Sequence, residues 1–375
     1  MRHRLHWIAA WAFSVCAMGG PANFVRVTPA TFNPTAGQNV VVAVHAASDA
    51  RLFVHVLDRD GYAVRALADD QPVAAGTHLV PWDGRDSTGE VVADEAYSFR
   101  VVLETREGIL TYLPAAQPAK TSIVSADQYS RRNGALMYEL AAPSRVHAQA
   151  GSAALNGKTK TYDGPVLKTL VNREPRPAGR IVESWNGLDE TGALYVPDVP
   201  NFVTAILATE LPENSVIAYG NTGHKFVDVV AKRTGVSLLP HSHTPAQHHA
   251  GLTTLEDVSP TLTITPTNAR WDTERKAWVV RGRAAEMSVE LTGPTAAAVA
   301  RQPGRIVVFV DFARQFEVRV RSTRERIRLR TDGMTGSGPR LVTVNWQSDR
   351  GPLATNSVRM LAERSVGTEA GHAPN

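Results

Sequence analysis

The feature that most constrains the fold is a repeat of about one hundred residues in the first two thirds of the chain. One segment begins at Leu67 and reads LADDQPVAAGTHLVPWDGRDSTGEVV, and the other begins at Leu170 and reads LVNREPRPAGRIVESWNGLDETGALYV. A repeat of this length indicates two successive domains with one fold. Six residues recur at a constant offset of 103 positions: Leu67, Gly76, Trp82, Gly84, Asp86 and Gly89 match Leu170, Gly179, Trp185, Gly187, Asp189 and Gly192.

Each copy combines a large aromatic anchor, a polar turn and an alternating strand. Trp82 and Trp185 are predicted to close one end of a core. Short polar side chains beside glycine favour Asx-type turns, in which they accept hydrogen bonds from backbone amides. The run from Tyr97 to Leu103 alternates apolar and polar residues, which is typical of a half-buried strand. The residues expected to be structural are Trp82, Asp86, Gly89, Trp185, Asp189 and Gly192.

The segment GTHLVPWDGRDSTGEVVADEAYSFRV resembles the FlgD/Vpr-type immunoglobulin-like module of exported bacterial proteins. Glu95 stands where that family usually has glycine. The second copy departs at Asn186 and in YVPDVPN, and it carries about nine extra residues in QAGSAALNGKTKTYDGP. The resemblance covers roughly residues 35–215. It implies two tandem immunoglobulin-like β-sandwiches and no catalytic residues.

The last third of the chain predicts a different β-sandwich with a basic surface. Eight short alternating runs follow Ser259, and residues 260–366 contain eighteen Arg or Lys and ten Asp or Glu, a net charge of +8. Alternation in a strand places every second side chain on one face. This face is either a solvated surface with ion pairs or a surface for a polyanion: envelope glycan, lipid headgroups or an acidic protein. The predicted partner-binding residues are Arg319, Arg321, Arg326, Arg328 and Arg330.

The amino terminus has the pattern of a secretory signal peptide. Arg2 and Arg4 precede an apolar run from Trp7 to Val15, and small residues follow. This pattern predicts a cleaved leader over residues 1–22 and a mature protein in the periplasm or outside the cell. Cys16 is the single cysteine, so a lipoprotein anchor there is the alternative and no disulfide can form. We expect no transmembrane anchor and no nucleic-acid partner.

A His-rich stretch before the last domain is the one candidate for inorganic chemistry. Imidazoles spaced two residues apart in an extended chain can bind Cu or Zn, but no carboxylate lies within the run, and solvated linkers often contain histidine. The motifs of hydrolases, metalloproteases and nucleotide-binding enzymes are absent from the sequence, so we expect no enzymatic activity and no required cofactor. The candidate metal ligands are His241, His243, His248 and His249.

These patterns predict an all-β protein of three immunoglobulin-like modules that acts as a scaffold or interaction subunit of a periplasmic or surface assembly. The alternatives are a metal-binding accessory protein and an envelope-glycan binder, for which Trp271, Trp278 and Trp346 would be the aromatic platform. The expected ranges are a signal peptide at 1–22, FlgD-like modules at 23–115 and 130–220, a short helix and His-rich connector at 221–259, the basic sandwich at 260–366 and a disordered tail at 367–375.

Overall fold

The chain folds into three β-sandwiches in the computed structural model. The structure describes residues 24–153, 164–224, 226, 229, 236–239, 260–293, 296–301, 303–334, 338–348 and 351–363. The all-β fold class expected from the sequence is confirmed. Short helical segments lie between strands at Pro34–Ala36, Pro114–Ala116, Val196–Asp198, Ala296–Ala300 and Asp332–Met334.

The first sandwich packs a three-stranded sheet on a larger one. The smaller sheet has the order β1-β3-β6: β1 Val25–Thr28, β3 Val40–Ala46 and β6 Gly76–Trp82. The larger sheet has the order β2-β16-β7-β4-β5, with β8 also paired to β7: β2 Thr31–Phe32, β4 Ala50–Leu57, β5 Ala63–Val73, β7 Ala96–Thr105, β8 Gly108–Tyr112 and β16 Val216–Ala218. The alternating apolar residues of both sheets meet in one core, because each strand points every second side chain inward.

The second sandwich repeats this plan. One sheet has the order β10-β11-β14: β10 Ala126–Ser130, β11 Ala135–Leu140 and β14 Gly179–Ser184. The other has the order β13-β12-β15-β9: β13 Val166–Arg176, β12 Ser144–Ser152, β15 Phe202–Glu210 and β9 Thr121–Val124.

The third sandwich differs from the other two in strand number and order. Its smaller sheet is β17-β20-β23: β17 Thr261–Pro266, β20 Ala284–Thr292 and β23 Arg324–Arg330. Its larger sheet is β18-β19-β25-β24-β21-β22: β18 Ala269–Asp272, β19 Ala277–Arg281, β21 Gly304–Val310, β22 Ala313–Arg319, β24 Arg340–Ser348 and β25 Gly351–Glu363. The strand β18, which forms a hairpin with β19, was not predicted from the sequence pattern.

The two repeats carry related turns that share the tryptophan and aspartate hydrogen bonds. The indole nitrogen of Trp82 donates to the carbonyl of Arg85 at 3.0 Å, and that of Trp185 donates to the carbonyl of Leu188 at 2.9 Å. Both tryptophans are buried, at 1% and 5% exposure. Asp86 Oδ1 accepts from the amides of Thr88 and Glu90, while Asp189 Oδ1 accepts from those of Ala193 and Leu194. The amide of Asp86 donates to the carbonyl of Glu90, whereas that of Asp189 donates to the carbonyl of Leu194, so the second turn is one residue longer. The glycines that end these turns, Gly89 and Gly192, have φ of 87° and 72°, which favours glycine.

The second sandwich is inserted into the first. The strand β16 lies after the whole second sandwich in the sequence, yet it pairs antiparallel with β7 and parallel with β2. We expected residues 216–218 to belong to a module spanning 130–220, and the structure instead places them in the larger sheet of the first sandwich. Two connecting segments, between β8 and β9 and between β15 and β16, therefore join these sandwiches.

Candidate functional site

A buried ion cluster lies where the first and second sandwiches meet; we call it the charged junction. Glu95, immediately before β7, accepts from Arg59 of the first sandwich at 3.3 Å and from Arg145 of the second at 2.7 Å. All three side chains are at most 4% exposed. The guanidinium of Arg59 also lies 5.3 Å from the ring centre of Phe226. One carboxylate therefore bridges two sandwiches in a site that is buried from bulk solvent.

The electrostatics of the charged junction keep Glu95 ionised. Burial alone would raise the pKa of its carboxyl group, but the positive charges of Arg145 and Arg59 outweigh burial and hold that pKa below the ordinary value. Burial, and then the like charge of Arg145, lower the pKa of Arg59 to about 10, so it stays protonated at neutral pH. Both shifts leave Glu95 and Arg59 in their charged forms at neutral pH.

Side-chain amides fix the returning chain to the first sandwich. Asn214 accepts from the amide of Val27 at 3.4 Å, and it donates to the carbonyl of Val25 at 3.3 Å and to the hydroxyl of Tyr112 at 2.8 Å. Asn221 donates to the carbonyls of Val91 and Val92, both at 3.0 Å. These bonds hold the segments on either side of β16 in place.

The second and third sandwiches meet through uncharged groups; we call this contact the neutral junction. Asn345, fully buried on β24, accepts from the amide of Val166 at 2.9 Å and donates to its carbonyl at 2.8 Å. Thr355 donates to the same carbonyl at 2.7 Å. The turn between β21 and β22 places Phe312 against the core that contains Trp185. Phe312 has φ of 71°, an uncommon conformation for a bulky residue.

The predicted arginine face is exposed, but it is divided between two sheets. The side chains of all five predicted arginines are exposed. Arg319 ends β22, an edge strand of the larger sheet, and Arg321 lies in the following turn. Arg326, Arg328 and Arg330 lie on β23, an edge strand of the smaller sheet. The five arginines therefore do not lie on one sheet, because the chain crosses from the larger sheet to the smaller one between β22 and β23.

Counter-ions are unevenly distributed around these arginines. Arg324 contacts Glu290 at 2.6 Å and Arg330 contacts Asp332 at 2.5 Å. Arg326 and Arg328 make no ion pair with any residue that the structure describes, although Arg328 lies opposite Glu286 in the strand register. A groove of about 460 Å³ runs beside them, lined in part by Thr267, Glu286, Arg326 and Arg328. The middle of β23 therefore presents two guanidinium groups to solvent that contact no carboxylate among the described residues.

The remaining predicted sites have different outcomes. His241, His243, His248 and His249 lie outside the described residues, and within those residues no three His, Cys, Asp or Glu side chains form a metal-binding group. Of the aromatic candidates, Trp346 is buried, at 1% exposure, whereas Trp271 is 46% exposed. The ring centres of Trp271 and Trp278 lie 5.5 Å apart on the β18–β19 hairpin.

Sequence reasoning missed both junctions. The Glu in place of the usual Gly at position 95 was visible as a departure, but its partner Arg145 lies in another sandwich and has no pattern around it. Asn345 lies within the apolar run of β24, where an alternating pattern assigns a polar residue to the solvent face, so its burial was not predicted. None of the helices among the described residues has the length and apolar character needed to cross a bilayer.

Comparison with known proteins supports an immunoglobulin-like module in the first sandwich. Residues 30–107 match the FlgD Ig-like domain family. This match covers one copy of the repeat, and it suggests a scaffold or interaction module in that part of the chain. No curated protein matches the chain.

Solved structures of three other proteins are similar at low identity. A bacterial ice-binding adhesin shares 12% identity and a TM-score of 0.20, covering 91% of this chain and 98% of that one. Escherichia coli alpha-2-macroglobulin shares 10% identity and a TM-score of 0.21, and this chain spans 24% of its length. A Ca²⁺-stabilized adhesin of an Antarctic bacterium shares 12% identity and a TM-score of 0.19, covering 92% and 75% of the two chains. Scores of this size do not establish a common arrangement of domains.

Proposed function

We propose that the protein is an exported, non-catalytic scaffold that binds an acidic partner of a periplasmic or cell-surface assembly through the third sandwich. The observation that carries this proposal is the pair of exposed arginines, Arg326 and Arg328, on an edge strand. The interlocked first and second sandwiches would act as a spacer that presents this surface. The leader expected at residues 1–22 supports export, with lipidation at Cys16 as the alternative anchor.

We also propose that the second sandwich is a divergent copy of the FlgD Ig-like module. The paired tryptophan and aspartate turns support this relationship, because indole and carboxylate make equivalent hydrogen bonds in both copies. The extra residue in the second turn, and the replacement of Asp83 by Asn186, make it diverge from the first copy.

Charge reversal tests the binding proposal. The variant Arg319→Glu, Arg321→Glu, Arg326→Glu and Arg328→Glu should keep the wild-type melting temperature and lose at least tenfold in retention on the envelope fraction of the source cells. Retention of the wild type should fall steeply with salt, because exposed charges are screened beyond about 8–10 Å at physiological ionic strength.

The matched control reverses exposed arginines of the first two sandwiches: Arg26→Glu, Arg106→Glu, Arg132→Glu and Arg180→Glu. It changes the net charge by the same amount on a different surface. The control should be retained like the wild type. If both variants lose retention equally, retention depends on total charge. If both are retained like the wild type, the arginine surface of the third sandwich is not needed for binding.

An envelope-glycan binder is the second candidate, favoured by the exposure of Trp271. An aromatic ring at the surface can stack on a sugar ring, and its neighbour Trp278 would hold it in position. Binding to purified cell-wall glycan should then fall at least tenfold in Trp271→Ala and be unaffected by the arginine reversals. Full binding by Trp271→Ala would eliminate this candidate.

A further inference from the structure

The edge strand β23 directs the backbone groups of its arginines to solvent. The carbonyl of Thr323 accepts from the amide of Leu291, and the amide of Thr331 donates to the carbonyl of Arg283. Both odd-numbered residues thus bond towards β20. In an antiparallel pair, alternate residues direct N–H and C=O to the same side. The N–H and C=O groups of Arg326 and Arg328 therefore point away from β20, along an edge where no strand pairs among the residues that the structure describes.

Each of these residues thus offers three binding elements at once: an amide donor, a carbonyl acceptor and a guanidinium. The strand already paired with β23 shows which sequence complements it. On β20, Glu290 lies opposite Arg324, Ser288 opposite Arg326 and Glu286 opposite Arg328. Directly opposed side chains of opposite charge stabilise a strand pair, and like charges destabilise it.

The edge strand β22 of the other sheet carries arginines whose charge is partly balanced by a carboxylate. On β22, Glu317 lies between the arginines and contacts Arg314 at 2.5 Å and Arg305 at 3.5 Å. The carboxylate of Glu317 therefore neutralises part of the positive charge along the edge strand β22. The difference singles out β23 as the edge suited to an acidic partner.

We propose that the free edge of β23 binds an extended acidic segment of a partner polypeptide, which adds a fourth strand to the sheet β17-β20-β23. Carboxylates at alternate positions of that segment would face Arg326 and Arg328, and its backbone would bond to theirs. The arginines would at the same time repel the edge of a second copy of this chain. This inference rests on the proposed function and specifies the chemistry of the partner.

The experiment measures binding of a synthetic ten-residue peptide that alternates Glu with Val and Thr to the full chain. A second peptide of the same net charge carries proline at every third position, so it cannot pair as a strand. We expect the alternating peptide to bind at least tenfold more tightly. Methylation of alternate backbone nitrogens in the alternating peptide should also weaken binding about tenfold, because it removes hydrogen-bond donors without altering the protein.

Two substitutions at one position separate the backbone from the charge. Arg328→Ala removes the guanidinium and keeps the amide, whereas Arg328→Pro removes both. Proline is tolerated on an edge strand where the lost N–H faces solvent, so both variants should melt like the wild type. We expect Arg328→Pro to bind the alternating peptide about tenfold more weakly than Arg328→Ala, since one backbone hydrogen bond is lost.

The possible failures are distinct. Equal binding of both peptides, with Arg328→Pro equal to Arg328→Ala, would overturn strand addition and leave an ionic surface. Absence of binding by either peptide, with arginine-dependent retention on the envelope, would overturn the acidic strand and keep the proposed function. Retention that does not depend on the arginines would instead contradict the proposed function itself.

Discussion

The charged junction and the neutral junction each join two sandwiches, but they do so through different chemical groups. At the charged junction, one carboxylate lies between two guanidinium groups from different sandwiches. At the neutral junction, the amide of Asn345 bonds to both backbone groups of Val166, as a paired strand would, and Phe312 packs beside it. Charged groups cost far more to bury than neutral groups, and they tolerate the loss of a partner less well.

The two junctions differ in how far the chain connectivity already holds their sandwiches together. Two connecting segments and β16 already hold the first and second sandwiches close together. The ion cluster therefore mainly fixes the orientation of one sandwich relative to the other. The chain enters the third sandwich from β16 of the first, so no segment runs directly from the second sandwich to the third. The contact between the second and third sandwiches uses groups that are less demanding in geometry. We therefore expect the charged junction to be the more sensitive to single substitutions and the neutral junction to be the more tolerant.

The largest expected effect is that of Glu95→Ala. This change leaves Arg59 and Arg145 buried without their shared carboxylate, which should lower the free energy of unfolding by about 3–5 kcal/mol. Chemical denaturation of the full chain measures it, with an exposed control such as Glu107→Ala that should have little effect. A loss below about 1 kcal/mol would show that water reaches the cluster.

The second effect is that of Asn345→Ala at the neutral junction. Removing the amide leaves the Val166 N–H without its acceptor, so we expect a loss of about 1–3 kcal/mol. Thr355 still donates to the carbonyl of Val166, which limits the cost. The same denaturation series measures this loss. If Asn345→Ala cost more than Glu95→Ala, the ranking of the two junctions would be reversed.

A third prediction separates the junctions by pH. The pKa of Glu95 is lowered in the folded state, so its stabilisation is fully present above the ordinary carboxyl pKa of 4.5 and is lost as pH falls from there through the folded pKa. The stability advantage of the wild type over Glu95→Gln should shrink by about 1.4 kcal/mol per pH unit in that window. The difference between wild type and Asn345→Ala should stay constant over the same range. A constant Glu95→Gln difference would mean that the carboxyl group is not ionised at the junction.

The smallest effect is expected when the whole ion cluster becomes apolar. The triple variant Arg59→Met, Glu95→Leu and Arg145→Met removes all three charges together, so no buried charge loses its partner. Its unfolding free energy should lie within about 1 kcal/mol of the wild type, because apolar groups of similar size often replace buried ion pairs at little cost. A loss as large as that of Glu95→Ala would show that the cluster contributes net stability.

The sequence predicted the parts of the fold that rest on local chemistry. The tryptophan anchors, the Asx turns with positive-φ glycine, and the alternating strands each depend on neighbours in sequence, so their residues indicate them directly. The exposure of the arginines also followed from alternation. The edge position of β23 did not, because whether a strand has a neighbour on both sides depends on pairing between distant segments.

The charged junction and β16 could not be predicted for the same reason. Three apolar residues at 216–218 favour a strand, but they contain no information about which sheet accepts it. Arg145 is one of many arginines in the sequence, and only the placement of the second sandwich against the first brings it to Glu95. Long-range contacts of this kind arise from topology rather than from local pattern.

The insertion of the second sandwich also orders the events of synthesis. Chains emerge from the ribosome beginning at the amino terminus. Residues 216–218 follow the complete second sandwich, so β2 has no strand to pair with until that sandwich has emerged. Phe32 of β2 packs on Trp82, with ring centres 5.3 Å apart, so the strand that waits for β16 also contributes to the first core. The first sandwich to appear is therefore completed only after the second has been made.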